Sequence, residues 1–416
     1  MFQLLYADDK GRMFEHPDLL ASGRTGSFYT EMDAGEVIPL PEGASLVMVP
    51  GGTPVGIDSE DGFTVYSGRR GKPVFAVGAL LPQGFSRTLI PAYRRRDKTP
   101  LPLFGYAAVG WQDGEIYVAA VQTDETSKWN PVHYSTAELA PLVREKAAFY
   151  KDNRIIKQLS ECALQYQCFT AQNIFYKRWE GGIPVSPVCN ARCLGCISLQ
   201  PAECCPSPQS RIDFTPTIKE VVDVAVPHLV SAEEGIISFG QGCEGEPSLA
   251  AKTVAEAIIG IRRQTSSGTI NMNTNAGFTE GIHIICQAGI DSLRVSTISA
   301  RESTYLAYYD PRDYTWENVQ ASVTAARDKG VFVSLNLLTY PGLTDTSEEV
   351  AALLNFIEKY DINMVQIRNL NIDPDYLAQK IPLDGGEVLG INRFIEILQS
   401  EIPGLIIGNF SKPVPK

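Results

Sequence analysis

Short apolar runs separated by glycine, proline and aspartate fill roughly the first 135 residues. Runs such as SLVMVP, FTVYSG and EIYVAAVQ have the length and alternation of half-buried β-strands. Between two such runs, Asp113-Gly114 predicts a two-residue hairpin turn, since both residue types tolerate a positive φ. We therefore expect a β-rich N-terminal domain over residues 1–135, in which no motif indicates a role.

The hydrophobic period changes from about Ser135 to Gln167, where apolar residues recur every three or four positions. This spacing is typical of one buried face of a helix. Ser135 or Thr136 is a suitable cap for its start, and Glu138 follows closely. The pattern predicts a helical connector over residues 136–180 that leads into a second domain.

Beyond the connector, apolar runs alternate with helical patterns six times. The predicted strands are IPVSPV (183–188), GIISF (235–239), TINMNT (269–274), DSLRVST (291–297), VFVSLNLL (331–338) and NMVQIRN (363–369), with LIIGN (405–409) as a last short one. The predicted helices cover about 216–232, 248–264, 279–288, 315–329, 347–360 and 387–400. Such alternation is typical of parallel strands with helices outside. Because six units are too few for an eight-unit barrel, we expect an α/β fold with a partial (βα)6 barrel over residues 181–410.

Composition narrows the function classes. The formal net charge of −12 disfavours a nucleic-acid partner or an anionic membrane surface, since both need a basic face. The sequence holds no apolar run near the roughly 20 residues that span a bilayer, and its start, MFQLLYADDKGRMFEH, lacks the features of a signal peptide. We expect a cytoplasmic protein that binds neither nucleic acid nor membranes.

Nine cysteines, seven of them between residues 162 and 205, indicate metal or redox chemistry rather than a disulfide framework. Cys189, Cys193 and Cys196 have the spacing C-x3-C-x2-C directly after the first predicted strand of the barrel. In parallel α/β folds, that position carries the chemistry. Three thiolates on one short loop are able to hold three corners of an iron–sulfur cubane and leave one iron open. Structural zinc, the competing metal, prefers four protein ligands.

The cysteine loop at the head of six βα units resembles that of the radical S-adenosylmethionine (radical SAM) superfamily, over roughly residues 170–400. The resemblance implies a 4Fe–4S cluster on the three cysteines and S-adenosylmethionine (SAM) on the open iron. One electron then cleaves SAM to a 5′-deoxyadenosyl radical, which removes hydrogen from a peptide, a protein or a small metabolite. It also implies an oxygen-sensitive enzyme that works anaerobically with an external electron donor, a flavodoxin or ferredoxin.

The loop SFGQGCEGEPSL after the second predicted strand resembles the G-x-G-E-P element of that superfamily. The resemblance implies that Glu246 contacts the SAM amino group, with Glu244 as the alternate; an ordinary glycine-rich turn capped by Ser248 is the competing interpretation. One departure is Gly195, where most members carry an aromatic residue, although its backbone is still expected to reach the adenine. The other implied SAM contacts are Gly242, Gly245, Asn275 (with Asn273 and Thr274 beside it) and Ser296.

Candidate substrate-side residues follow from alternation on the later strands. Gln366 and Arg368 share one face of an otherwise apolar strand, and Asn336 lies on the strand before it. A polar pair that points into a barrel must be satisfied by a ligand or by a structural hydrogen-bond network. A structural salt bridge and a SAM carboxylate contact are equally open for Arg294.

The sequence leaves two further points undecided, the state of four other cysteines and the alternatives to this function. Four other cysteines are either buried free thiols or ligands of a second metal, namely Cys162, Cys168, Cys204 and Cys205. The alternatives to an enzyme that modifies a substrate molecule are a glycyl-radical-enzyme activase and a non-catalytic iron–sulfur or zinc protein for redox sensing or scaffolding. The catalytic residues on the substrate side are not identified by the sequence.

Overall fold

The computed structural model describes residues 1–68, 72–95, 100–101, 104–199, 209–383 and 386–415. Within these ranges, the N-terminal part is an antiparallel sheet built from short strands. They are β1 (Gln3–Asp8), β2 (Met13–Thr25), β3 (Phe28–Glu31), β4 (Val37–Pro39), β5 (Ser45–Met48), β6 (Gly52–Asp58), β7 (Gly62–Val65), β8 (Val74–Leu80), β9 (Phe85–Arg87), β10 (Ile90–Pro91), β11 (Tyr93–Arg95), β12 (Ala107–Gln112) and β13 (Glu115–Gln122). The main path of the sheet runs β11-β6-β2-β1-β8-β12-β13-β4.

The predicted hairpin is confirmed between β12 and β13. Gln112 pairs with Glu115 across the turn, and the two residues between them, Asp113 and Gly114, have φ values of 51° and 91°. Positive φ at both central residues is the geometry whose twist matches that of the flanking strands.

The connector contains three helices, α1 (Leu139–Phe149), α2 (Arg154–Leu164) and α3 (Phe169–Tyr176), rather than one long helix. The break follows from Asn153, whose side chain accepts the N–H of Ile156 at 3.1 Å and starts α2 afresh. The predicted cap at Ser135 or Thr136 is wrong, because α1 begins only at Leu139. Ser135 instead donates its backbone N–H to Gln172 at 2.8 Å.

The second half of the chain is a parallel sheet whose strands follow chain order. These strands are β14 (Arg178–Gly182), β15 (Glu233–Phe239), β16 (Thr269–Thr274), β17 (Ser292–Thr297), β18 (Phe332–Thr339), β19 (Met364–Asn369) and β20 (Ile406–Gly408). The helices between them are α4 (Ile218–Ser231), α5 (Ala251–Arg262), α6 (Thr279–Gln287), α7 (Glu302–Tyr309), α8 (Trp316–Asp328), α9 (Ser347–Tyr360), α10 (Pro374–Lys380) and α11 (Ile391–Glu401). The α/β fold, a partial barrel behind a β-rich N-terminal domain, is confirmed.

The first barrel strand lies at Arg178–Gly182, so its prediction at residues 183–188 is wrong. Pro184 and Pro187 lack the N–H that a central strand must donate, which explains why the ladder ends before them. Pairing continues only as far as Ile183, whose N–H donates to the carbonyl of Ser238 at 2.9 Å. The segment after the strand therefore runs as irregular chain into the cysteine loop.

The N-terminal sheet is fastened to the carboxyl end of β19. The fully buried Arg87 donates to the carbonyl of Leu370 at 2.6 Å and, through its backbone N–H, to the side chain of Asn369 at 2.9 Å. Arg95 and Asp373 form an ion pair of 2.9 Å nearby. The sheet thus faces the end of the barrel at which parallel α/β folds place their sites.

In the ranges that the structure describes, the helices are all too short or too polar to cross a bilayer.

Candidate functional site

Glu244 joins the segment that precedes the cysteine loop to the glycine-rich loop after β15. Its carboxylate accepts the N–H groups of Val185 and Ser186 at 2.8 and 3.1 Å, just before the cysteines. It also accepts those of Gly240 and Gln241 at 2.5 and 3.2 Å, in the glycine-rich loop after β15. Burial raises the pKa of Glu244 to about 8, while the backbone donors oppose that shift. With four backbone donors on two oxygens, Glu244 clamps the two loops together.

The glycine-rich loop lies directly against the residues that precede Cys189. The N–H of Gly245 donates to the carbonyl of Ser186 at 2.7 Å, and that of Glu246 donates to the carbonyl of Val188 at 2.8 Å. A Cβ on Gly245 would lie 2.0 Å from the Val188 oxygen, so only glycine permits this approach. The glycine at position 245 is thus explained by a backbone contact between the two loops.

Glu246 connects the same loop to the end of β16. It accepts the hydroxyl of Thr274 at 2.5 Å and the N–H groups of Asn275 and Ser248 at 2.8 and 3.0 Å. Glu246 is also the cap of the short turn Pro247–Ala250, so the interpretation of Ser248 as the cap is wrong. Burial raises the pKa of the Glu246 carboxyl, and its three donors oppose this.

The three cysteines of the C-x3-C-x2-C loop line one cavity of about 270 Å³. Burial raises the pKa of Cys189 to about 11 and that of Cys193 well above its usual value. Arg211 brings a positive charge to the cysteine loop, with a guanidinium nitrogen 3.7 Å from Cys196 Sγ. The cavity also contains every residue predicted to contact SAM, namely Gly195, Gly242, Glu244, Gly245, Glu246, Asn275 and Ser296, together with Asn336.

The donor set suits an iron–sulfur cluster. A cubane takes one thiolate at each of three corners, whereas structural zinc prefers four protein ligands. The three thiols that line this cavity match the requirement of the cubane.

A second cavity of about 280 Å³ adjoins the first, and the two share nine lining residues, among them Gly195, Asn273, Ser296, Tyr308 and Asn336. Tyr308 was not found by sequence reasoning, because α7 has no clear apolar period. A Cβ on Gly195 would lie 2.6 Å from the Tyr308 hydroxyl oxygen. Tyr308 therefore occupies the space that a side chain at position 195 would need.

The candidate substrate-side residues differ in their surroundings. Arg368 and Asn336 line the second cavity. Gln366 is buried, and its amide oxygen accepts a hydrogen bond from Arg294 at 3.0 Å. Arg294 also pairs with Glu180 at 3.3 Å, so the structural salt bridge that the sequence left open is present. The role of these residues toward a ligand stays a prediction.

Two of the remaining cysteines meet beside the site. Cys162 on α2 and Cys243 in the glycine-rich loop are both buried, and their thiols are hydrogen-bonded. The thiol of Cys168 contacts the hydroxyl of Thr170 at 3.3 Å. Cys204 and Cys205 lie outside the described residues, and a second metal on these cysteines stays an open prediction.

Residues 183–357 match the family model of the radical SAM superfamily. A search among curated proteins found no match. Among solved structures, the chain is similar to HydG, a maturase of the [FeFe]-hydrogenase, with 16% identity, a TM-score of 0.39 and coverage of 66% of this chain and 63% of that one.

Two further solved structures resemble the chain. A radical SAM methyltransferase from Sphaerobacter thermophilus has 17% identity, a TM-score of 0.40 and coverage of 55% of this chain and 66% of that one. SuiB from Streptococcus suis bound to S-adenosylmethionine has 13% identity, a TM-score of 0.38 and coverage of 76% of this chain and 73% of that one. The chain therefore spans less than two thirds of HydG and of the methyltransferase.

Proposed function

We propose that the protein is a radical SAM enzyme with its cluster on Cys189, Cys193 and Cys196, since residues 183–357 match the family model of that superfamily. When bound, a 4Fe–4S cluster and SAM supply a 5′-deoxyadenosyl radical by one-electron cleavage of the sulfonium, and this radical takes a hydrogen atom from the substrate. The observation that carries the proposal is that the three thiols and the glycine-rich loop line one cavity at the carboxyl ends of the parallel strands.

The two glutamates of the loop have different roles in this proposal. A carboxylate has about four acceptor positions, and Glu244 uses them on four backbone donors. Glu246 accepts three donors and lines the cavity, so it retains one position for the SAM ammonium group. We therefore assign the amino-group contact to Glu246 and the clamping role to Glu244.

The polar ends of the neighbouring strands complete the cofactor site. The Ser296 hydroxyl on β17 lines both cavities and is suited to a ribose hydroxyl. Asn275 is held by its amide, which donates to Asn190 beside Cys189 at 2.7 Å. This bond connects the end of β16 to the cysteine loop and fixes the two sides of the site relative to each other.

The proposal includes two partners and a compartment. The one-electron step requires an external reductant, and flavodoxin or ferredoxin is the expected donor. The cytoplasm, where thiols stay reduced, is the expected location. The second cavity beside the first favours an enzyme over a scaffold or redox sensor, because a scaffold has no use for a substrate chamber.

The test is anaerobic reconstitution with iron and sulfide, followed by dithionite and SAM. We expect 5′-deoxyadenosine, measured by mass spectrometry, from the wild type and from Cys286→Ala, which removes a buried thiol on α6 outside the cavity. Cys196→Ala is expected to abolish it. Equal yields from Cys196→Ala and the wild type would contradict the proposal. A glycyl radical on a partner protein, detected by electron paramagnetic resonance, would identify the activase alternative.

A further inference from the structure

The charges lining the second cavity do not balance. Its lining contains Arg294, Arg368 and Glu180. Arg294 is paired with Glu180 at 3.3 Å, whereas Arg368 has no carboxylate within ion-pair distance among the described residues. The chamber therefore carries one positive charge in excess at its lining.

Arg368 is held in place by neutral groups. Its Nη1 donates to the carbonyl of Asn409 at 2.6 Å and to the side-chain oxygen of Gln83 at 3.3 Å. Its Nε and Nη2 have no hydrogen-bond partner in the described part of the chain, and they are not sealed within protein. Burial lowers the pKa of Arg368 to about 10, which still leaves it charged at neutral pH. The carboxylates of Glu180 and Asp124 oppose this lowering of the pKa, but neither forms an ion pair with Arg368 among the described residues. The half-buried guanidinium therefore still has N–H groups that an anion from outside the chain is able to pair with.

The N-terminal part of the chain supplies part of the wall of the chamber. Gln83 and Trp129 complete its lining. The ring of Trp129 packs against Trp179 on β14 and Phe410 just after β20, at centroid distances of 6.4 and 6.1 Å. Trp129 thereby bridges the two edge strands of the parallel sheet.

The size and chemistry of the chamber indicate what it accepts. A volume of about 280 Å³ is slightly below the roughly 300 Å³ at which small-molecule pockets begin, so the chamber suits only a small ligand. Most of the lining is amide, hydroxyl or charged, for example Thr170, Gln241, Asn273, Asn369 and Asn371. An apolar ligand or a long peptide segment suits this chamber poorly.

We propose that the substrate is a small polar molecule with one anionic oxyacid group, a carboxylate or a phosphate, which binds the free N–H groups of Arg368. The planar guanidinium of Arg368 presents N–H groups side by side, which match two oxygens of such a group. This inference rests on the proposed function, since it assigns a substrate class to the chamber beside the SAM cavity.

Isothermal titration calorimetry with inorganic phosphate and with succinate, on the reconstituted protein saturated with SAM, tests the proposal. We expect saturable binding of at least one of the two anions and none of uncharged succinamide. Arg368→Gln is expected to weaken anion binding at least about tenfold, the loss of one charge-assisted contact. Arg368→Lys keeps the positive charge but lacks the planar guanidinium, and its anion affinity is expected to lie between those of the wild type and Arg368→Gln. Arg393→Gln, which removes an exposed arginine paired with Glu396 on α11, is expected to bind like the wild type.

Three results would overturn the inference: equal anion binding by Arg368→Gln and the wild type, no saturable binding of either anion, or displacement of SAM by the anion. Thermal unfolding of both Arg368 variants shows whether a loss comes from misfolding, and Arg368→Lys carries the test if Arg368→Gln does not fold. Measuring 5′-deoxyadenosine in the same preparations separates the two proposals. Anion binding without SAM cleavage contradicts the enzyme, whereas SAM cleavage without an Arg368-dependent anion site contradicts only the substrate class.

Discussion

Replacing Gly245 by alanine tests the contact between the glycine-rich loop and the cysteine loop. The new methyl group would lie 2.0 Å from the carbonyl oxygen of Val188, and an ordinary contact begins at 3.4 Å. The two backbone segments must therefore separate by about 1.4 Å, because neither atom belongs to a side chain that is free to rotate. Such a movement strains or breaks the hydrogen bond from Gly245 N–H to Ser186 at 2.7 Å.

The expected cost combines two effects. Overpacking in a well-packed region costs about 1–3 kcal/mol, and a lost hydrogen bond costs about 0.5–1.5 kcal/mol. We expect the free energy of unfolding to fall by about 2–4 kcal/mol, measured by urea denaturation. Because Val188 directly precedes Cys189, the shift also moves a thiol relative to the cofactor cavity. A displacement near 1 Å can reduce a rate by up to about 100-fold, so 5′-deoxyadenosine formation should fall at least about tenfold.

Gly35→Ala is the matched control, since the nearest heavy atom to its new Cβ is 3.8 Å away. It should change neither the unfolding free energy nor SAM cleavage measurably. If Gly245→Ala retains wild-type stability and activity, the close approach of the two loops does not constrain the site, and the reasoning from the Val188 contact is refuted.

Three further predictions address buried groups in the second half of the chain. Glu180→Gln removes the counter-charge of the buried Arg294 and should lower the free energy of unfolding by about 3–5 kcal/mol. The control is Glu396→Gln, which breaks the exposed ion pair with Arg393 and should lower it by less than about 1 kcal/mol. Similar losses in the two variants would refute the argument. Burial lowers the pKa of His228 from 6.5 to about 4, so the unfolded chain binds its proton first and stability is lost as the pH falls from 6.5 to 4, by up to about 3 kcal/mol. Denaturation across that window should show a shallower slope in His228→Gln, and an unchanged slope would contradict the assignment. Gly195→Ala should weaken SAM binding and cleavage, because its new Cβ would crowd the Tyr308 hydroxyl. Adding Tyr308→Phe to this variant should restore SAM binding, because the nearest ring carbon is 3.6 Å from the new Cβ. Calorimetry that shows no restored binding in the double variant would count against this contact.

The sequence predicts the barrel well because each βα unit carries its own hydrophobic period. Helix α9 lies at Ser347–Tyr360, as its pattern predicted, and β16 lies at Thr269–Thr274. The first strand was misplaced because IPVSPV is apolar enough for a strand, while its two prolines prevent the ladder. Helix α7 was missed because ESTYLAYY buries tyrosines around much of its circumference and has no apolar stripe.

For the site, too, the sequence predicts the features that depend on short motifs and misses those that depend on contacts between distant segments. The cysteine loop and the glycine-rich loop were found because each is a short motif whose spacing reflects local backbone geometry. The resemblance favours Glu246 over Glu244 for the SAM contact, and the partners brought by the fold add a physical reason: Glu244 accepts four backbone donors, whereas Glu246 accepts three donors. Gln83 and Trp129 lie far from the barrel in sequence, so no local pattern connects them to the second cavity.

The N-terminal sheet packs against the barrel and supplies a residue, Gln83, that lines the second cavity. Arg87 binds the chain just after β19, and Arg24 pairs with Asp375 at 2.7 Å on the following turn. These contacts hold the wall that supplies Gln83, which in turn positions Arg368. The cavity of the three cysteines is lined entirely by residues of the second half of the chain, whereas the second cavity is lined by residues of both halves. On the proposed function, the motifs of the barrel therefore account for the chemistry, and we expect the N-terminal sheet to contribute to the choice of substrate.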